Sequence, residues 1–286
     1  MTFQPVFAFG TVGSPRSTPV RPGGSSGAIQ HLTSLGLQAL ELGWVQSVRV
    51  SPQTCEAIRR AGAQWSIALS VHAPYFINLN ASRSEWPKAR KRLMDAARYG
   101  ALAGATDIVF HPGSYFGAEA GDVLQKAIPR LRACADELRK DGVTVRLRPE
   151  TMGKSAMLGS LEDTLEMSRA VPGVEPCLDF AHLHARPGDG TKNSYEEWTE
   201  MLARYRQALG PDALRRVHIH LSGIAYGPKG ERHHLMLVDS DMDVVGLLQA
   251  LADAGCGGRI LCESPVMEDD AVILLQTWRH LQVGHP

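Results

Sequence analysis

Ser66-Ile-Ala-Leu-Ser-Val-His72-Ala-Pro74 is a short apolar run that stops at a histidine and a proline, and it sets the pattern for the chain. Five more runs end in the same way: Val109-Phe-His111-Pro112, Arg148-Pro-Glu150-Thr151, Leu178-Asp179-Phe-Ala-His182, Val217-His218-Ile-His220 and Leu261-Cys-Glu263-Ser264. A polar stretch, Glu231-Arg-His233-His234, lies between the last two. Each imidazole or carboxylate falls where a strand would stop and a loop begin. Parallel strands closed into a barrel bring such ends to one rim, where barrels of alternating strands and helices keep their chemistry. Neutral imidazole mixed with carboxylate suits zinc or manganese.

Outward from this run, β-branched or apolar segments alternate with amphipathic ones. Strands are expected at 5–13, 39–44, 66–72, 107–111, 144–150, 175–182, 216–221 and 259–263. Helices are expected at 28–35, 52–61, 87–104, 118–140, from Ser160 onward, and at 194–209, 241–254 and 268–281. Pro87 suits a first helical turn, and Ser194 with Glu197 three positions on reads as a capping box. Residues 222–240 read as a loop. Eight strand–helix units predict a single (β/α)8 TIM barrel spanning 1–286 as one α/β domain. An open dinucleotide-binding sheet is disfavoured, because Phe9-Gly-Thr-Val-Gly13 is a poor version of the glycine-rich turn.

An apolar fraction of 44% supports a sizeable core and excludes a disordered chain. Lys plus Arg and Asp plus Glu number 30 each, so no global charge advertises a polyanion or membrane partner. The five cysteines form no Cys-x-x-Cys pair and read as buried, reduced thiols of a cytoplasmic protein. No apolar run approaches the roughly 20 residues that span a bilayer.

One strand-end histidine alone is more often a hydrogen-bonded core residue, but His72 and His111 occupy equivalent places on neighbouring strands. Glu150 and Glu263 follow apolar stretches, where a carboxylate needs an arginine or a cation. Arg146 and Arg148 alternate with Glu150 and offer one; Glu263 has no such neighbour. His218 and His220 share one face of their strand, so one is expected to bind metal and the other a ligand phosphate or a group that itself touches the metal. One zinc takes about four ligands. The surplus fits two or three metals sharing a carboxylate, the arrangement used for in-line displacement at phosphorus.

With these residues in view, the chain resembles the endonuclease IV family of abasic-site nucleases, a branch of the xylose isomerase-like barrels. The most specific piece is His72-Ala-Pro-Tyr75-Phe-Ile-Asn78-Leu, supported by His-Pro-Gly at 111–113, Pro-Glu-Thr at 149–151, Leu-Asp-x-x-His at 178–182 and His218-Ile-His220-Leu-Ser222-Gly. The resemblance implies a zinc centre of two or three ions, with manganese as the alternative metal. Its implied ligands are His72, His111, Glu150, Asp179, His182, His218, Glu231, one of His233 or His234, and Glu263. Glu150 would bridge two metals, and Glu150 and Glu263 would be catalytic. The position of Glu231 is more often aspartate in the family. The choice between His233 and His234 stays open, since Gly-Glu-x-x-His-Leu resembles a related branch.

The implied activity is that of a metal-dependent endodeoxyribonuclease of base excision repair. It would cleave on the 5′ side of abasic sites in damaged double-stranded DNA, with Tyr75 and Phe76 entering the helix gap. Neither a membrane nor an obligate protein partner is implied. Two other readings fit the same barrel. A xylose isomerase-like sugar isomerase or epimerase would use one divalent ion on Glu150, Asp179 and Glu263. A metal-binding barrel acting on a small phosphate would suit the neutral net charge and the short loop at 45–50.

Overall fold

The computed structural model describes residues 7–283, so residues 5 and 6 of the expected first strand lie outside the described residues. The chain runs β1 (Phe7–Val12), α1 (Gly24–Ser34), β2 (Ala39–Gly43), α2 (Pro52–Trp65), β3 (Ala68–His72), α3 (Trp86–Leu102), β4 (Asp107–Phe110), α4 (Ala120–Lys140), β5 (Arg146–Pro149) and α5 (Leu161–Ala170). It continues with β6 (Cys177–Asp179), α6 (Phe180–Ala185), α7 (Tyr195–Leu209), β7 (Val217–Leu221), β8 (Gly223–Gly227), β9 (Gly230–Leu235), α8 (Val244–Asp253), β10 (Gly258–Cys262) and α9 (Glu268–Val283).

Eight strands pair in the order β5-β4-β3-β2-β1-β10-β7-β6. Parallel bridges Leu147↔Val174 and Glu150↔Cys177 bring the two ends of this sheet together. The result is a nearly closed (β/α)8 TIM barrel. Helix starts follow local chemistry. Ser51 accepts the Thr54 N–H with Pro52 at the first turn, and Ser160 and Asp163 form a reciprocal capping box. Ser194 caps α7 as expected, but the Glu197 carboxylate turns to the backbone N–H groups of Lys192 and Asn193.

Two elements differ from the sequence reading. The sixth strand ends at Asp179 rather than His182, because Asp179 Oδ1 accepts the His182 N–H at 2.7 Å and starts α6. His182 therefore stands on a helical turn beside Asp179. Phe180 and Trp198, both fully buried and packed edge to face at 5.5 Å, pin that helix to α7. Burying each such side chain contributes about 1.5–3 kcal/mol.

The stretch expected as a loop holds the antiparallel hairpin β8–β9. Its second strand, Gly-Glu-Arg-His-His-Leu, is polar and shows no apolar alternation, and its first is only the short run Ile224-Ala-Tyr226 between glycines, so periodicity gave no strand there. All five cysteines are buried and free. At the barrel floor, buried Arg148 pairs with Asp107 at 2.7 Å and Glu175 at 3.2 Å, so it is not the partner of Glu150. No helix among the described residues is long and apolar enough to cross a membrane.

Candidate metal centre

The barrel brings donors from six strand ends and the hairpin into three interlocked groups. His72 closes β3, and His111 and Glu150 follow β4 and β5; both histidine Nε2 atoms face Glu150 Oε2, at 3.3 and 3.2 Å. Glu150, Asp179, His220 and Glu263 form a second set, and Asp179, His182 and His234 a third. Glu150 is shared between the first two sets and Asp179 between the last two. Glu231 joins the third through an oxygen 3.5 Å from His182 Nε2.

The histidine nitrogens that face away from the groups are mostly held in place. His72 Nδ1 and His182 Nδ1 each lie 2.9 Å from a backbone carbonyl, of Ala73 and Thr151. A carbonyl only accepts, so those nitrogens carry the proton and the Nε2 lone pairs face the groups. His234 Nδ1 is held by the Ser222 hydroxyl at 2.6 Å.

Donor atoms about 2.0–2.2 Å from a tetrahedral zinc stand roughly 3.4 Å from one another. His220 Nδ1 lies 3.4 Å from Glu150 Oε1 and 3.5 Å from Glu263 Oε1, and His182 Nε2 lies 3.5 Å from Glu231 Oε2. Glu150 Oε2 and Asp179 Oδ2 are buried without a hydrogen-bond partner. A buried, unsatisfied carboxylate oxygen is costly. The residues present thus fit a group of cations.

Electrostatics carries the same demand. Burial works against charge on His72, yet Glu150 outweighs it and raises the imidazole to about 9. Burial likewise opposes charge on His182, where Asp179 and Glu150 raise it to about 10. Burial, with Glu150 and Glu263 nearby, pushes the Asp179 carboxyl up to about 6 despite His182 and His234. Without metal, the carboxylates draw in protons instead.

The geometry bears on two choices, the implied ligand His218 and the open pair His233 or His234. His220, not His218, joins Glu150, Asp179 and Glu263; His218 Nε2 turns down to Glu41 at 2.9 Å. His234 stands in the third group, while His233 is exposed. A bulge explains this. Ala225 pairs with His233 and Tyr226 with Glu231, which leaves Arg232 as the extra residue. One inserted residue resets the alternation, so Glu231 and His234, three apart, face the same side.

Other contributors escaped sequence reasoning. Gly153 N-terminal to α5 accepts the Glu231 N–H at 2.9 Å through its carbonyl. Arg186 clamps that loop by donating to the carbonyls of Met152, Lys154 and Met157 at 2.8–3.0 Å. A Cβ on Gly153 would lie 2.8 Å from Glu231 Oε2 and 3.0 Å from His182 Cδ2. Gly153→Ala is therefore expected to displace Glu231 and release one cation equivalent while the fold persists, as metal analysis beside circular dichroism would read. Full metal retention would contradict it.

Beside the first group lies a groove of about 540 Å³ lined by Tyr75, Phe76 and Phe116 among others. Tyr75 packs 5.1 Å from the His111 ring, and Phe76 and Phe116 are 61% and 71% exposed. Phe116 adopts a left-handed backbone conformation, φ 53°, unusual for a bulky residue.

The fold and this rim of donors define a TIM barrel whose polar centre lies at the C-terminal ends of its strands. The chain belongs to the xylose isomerase-like TIM barrel family, matched over residues 29–281. It is similar to an uncharacterized protein of Methanocaldococcus jannaschii, 33% identical across 98% of this chain and 100% of that one. It is also similar to endonuclease 4 of Thermus thermophilus, 28% identical across 89% of this chain and 93% of the relative. Among solved structures, endonuclease IV from Thermus thermophilus aligns with a TM-score of 0.71 at 23% identity, covering 98% of this chain and all of that one. A D-tagatose 3-epimerase-like protein aligns with a TM-score of 0.70 at 16% identity, covering 90% and 93%. These structural likenesses fix the fold alone and leave the activity to the site.

Proposed function

We propose that the chain is a metal-dependent phosphodiesterase that cleaves DNA on the 5′ side of abasic sites. The observation that carries this reading is the sharing of Glu150 and Asp179 among three donor groups. His72, His111, Glu150, Asp179, His182, His220, Glu231, His234 and Glu263 would hold the cations. Zinc suits this donor set, with manganese the alternative. When bound, the cations supply Lewis acidity and lower the pKa of an attacking water to about 7.

The chain's own residues do the rest. Glu150 and Asp179, fully buried, fix the spacing of the three groups. Glu263 is the one carboxylate of the central set that solvent reaches, 15% exposed, so its oxygens are placed to take the proton of the attacking water. Tyr75, Phe76 and Phe116 offer rings to bases flanking a gap in the stack. An abasic nucleotide lacks stacking, so its extrusion costs little.

The single-metal sugar epimerase reading is favoured by one observation, that Glu150, Asp179, His220 and Glu263 alone make a four-donor set. It leaves His72, His111, His182, Glu231 and His234 without a task. Incubating the protein with a duplex bearing one abasic analogue, with and without chelator, separates the two. Strand scission that chelator stops, and two or three ions per chain, are the expected results. Glu263→Gln is expected to slow scission by about 10²–10⁴-fold, the worth of a positioned proton acceptor, while the circular dichroism spectrum is kept. A single ion with no scission would favour the epimerase.

A further inference from the structure

A fourth carboxylate lies beneath the centre, outside the ligand set described above. Glu41, in the middle of β2, is fully buried. Its Oε2 accepts the Ser70 hydroxyl at 2.7 Å and faces His218 Nε2 at 2.9 Å. Its Oε1 lies 3.0 Å from His220 Nε2, both atoms are buried without a hydrogen bond, and Cys177 lies against the same imidazole. No lysine or arginine pairs with Glu41 among the described ion pairs, so its surroundings are two imidazoles and a hydroxyl. Burial opposes its ionisation, but His220 and His218 hold it well below the usual carboxylate range.

His220 is thus gripped between two carboxylate layers. Its Nε2 faces Glu41 below, and its Nδ1 faces Glu150 and Glu263 above, at 3.4 and 3.5 Å. Carboxylates, which only accept, stand on both sides of the ring, so a cation that takes Nδ1 in place of its contact with Glu150 leaves Nε2 to carry the proton, with Glu41 beside it to accept. A metal-bound histidine backed by a carboxylate in this way is also a stronger donor. Ser70 and His218 fill the remaining lone-pair directions of Glu41 and stop it from turning away.

We infer that Glu41 is a positioning residue that fixes the tautomer of His220 and so holds the cation of the central Glu150–Asp179–His220–Glu263 group. This rests on the metal-centre part of the proposed function and is independent of DNA as substrate. It also accounts for His218, whose place is beside Glu41 rather than in the group.

Glu41→Gln tests it, because the amide is nearly isosteric and reverses the demand. With its carbonyl kept toward Ser70 and His218, its NH2 faces His220 Nε2. That nitrogen must then accept, the proton moves to Nδ1, and the cation loses its donor. Protein loaded with zinc sulfate is dialysed against graded chelator and its metal content counted. One equivalent is expected to leave at a chelator strength about 10–100-fold lower than in the parent chain, the usual effect of removing such a partner. Equal retention of every equivalent overturns the inference.

A second measurement does not depend on the variant's folding. Nitrogen-15 spectra of histidine-labelled, zinc-loaded parent protein are expected to show His220 protonated at Nε2 with Nδ1 shifted by metal. A proton on Nδ1 overturns the inference. A parent chain that binds no zinc overturns both it and the metal centre. Zinc binding with the expected tautomer but no scission of abasic DNA overturns only the nuclease reading.

Discussion

Glu150→Gln is expected to remove two cations from the centre and to lower abasic-site cleavage by about 10⁴-fold, the equivalent of losing about 5–6 kcal/mol of charge stabilisation. The size follows from position. Glu150 Oε2 faces His72 and His111 at 3.3 and 3.2 Å, and Oε1 faces His182 and His220 at 3.4 Å each. Among the described residues no other side chain touches the histidines of all three groups. Glutamine keeps the volume, so packing survives, but it carries no charge and can turn an NH2 toward the Nε2 atoms of His72 and His111, whose lone pairs face inward. The first and second groups lose their common ligand, whereas Asp179, His182, Glu231 and His234 retain theirs. Metal analysis should fall from three equivalents toward one, with an unchanged circular dichroism spectrum. Three retained equivalents would remove Glu150 from its bridging role. The contrast with Glu263→Gln is informative, because Glu263 stands at the edge of one group and its loss should spare most of the metal.

Much of this was legible in the chain because barrel closure turns one-dimensional position into proximity. Each apolar run that ends in a histidine or carboxylate marks a strand terminus, and parallel closure places such termini at one rim. What escaped depends on geometry that spacing does not encode. His218 and His220 have the same parity on β7, so alternation cannot choose between them. The choice is made by Glu41, a lone charge inside Ala39-Leu-Glu-Leu-Gly43. That residue was a readable signal, since an acid in the middle of a buried strand needs a partner. His234 needed the bulge at Arg232, invisible in a polar strand without alternation. The early end of β6 needed Asp179 to be read as a helix cap as well as a ligand, two tasks for one carboxylate. Gly153 and Arg186 act through a close approach and through backbone carbonyls, neither of which has a sequence motif.

Stripping the metals is expected to make stability fall as pH rises between about 6.5 and 10. In the metal-free chain the imidazole of His72 is raised to about 9 and that of His182 to about 10, above the ordinary 6.5. A group raised in the folded state gives stability that is complete below its unfolded pKa and lost as pH climbs through the folded one. Both contributions are therefore present at pH 6 and disappear by pH 10. Asp179, raised to about 6, acts in the same direction at lower pH, its neutral form being favoured in the fold as pH rises from 3.8. Glu150, held well below 4.5, acts oppositely and matters only in acid. Each proton that the fold holds in excess costs about 1.4 kcal/mol per pH unit as it is withdrawn. With zinc bound, those nitrogens are already deprotonated, and metal binding tightens with pH because fewer protons must leave. Thermal melts at pH 6.5, 8 and 9.5 should show the midpoint of the chelated protein falling steadily while that of the zinc-loaded protein changes much less. The gap between the two curves should widen with every step. Parallel curves would mean that the imidazoles around Glu150 are not held protonated in the metal-free fold, and that the centre is assembled by the metal instead of being preformed by the barrel.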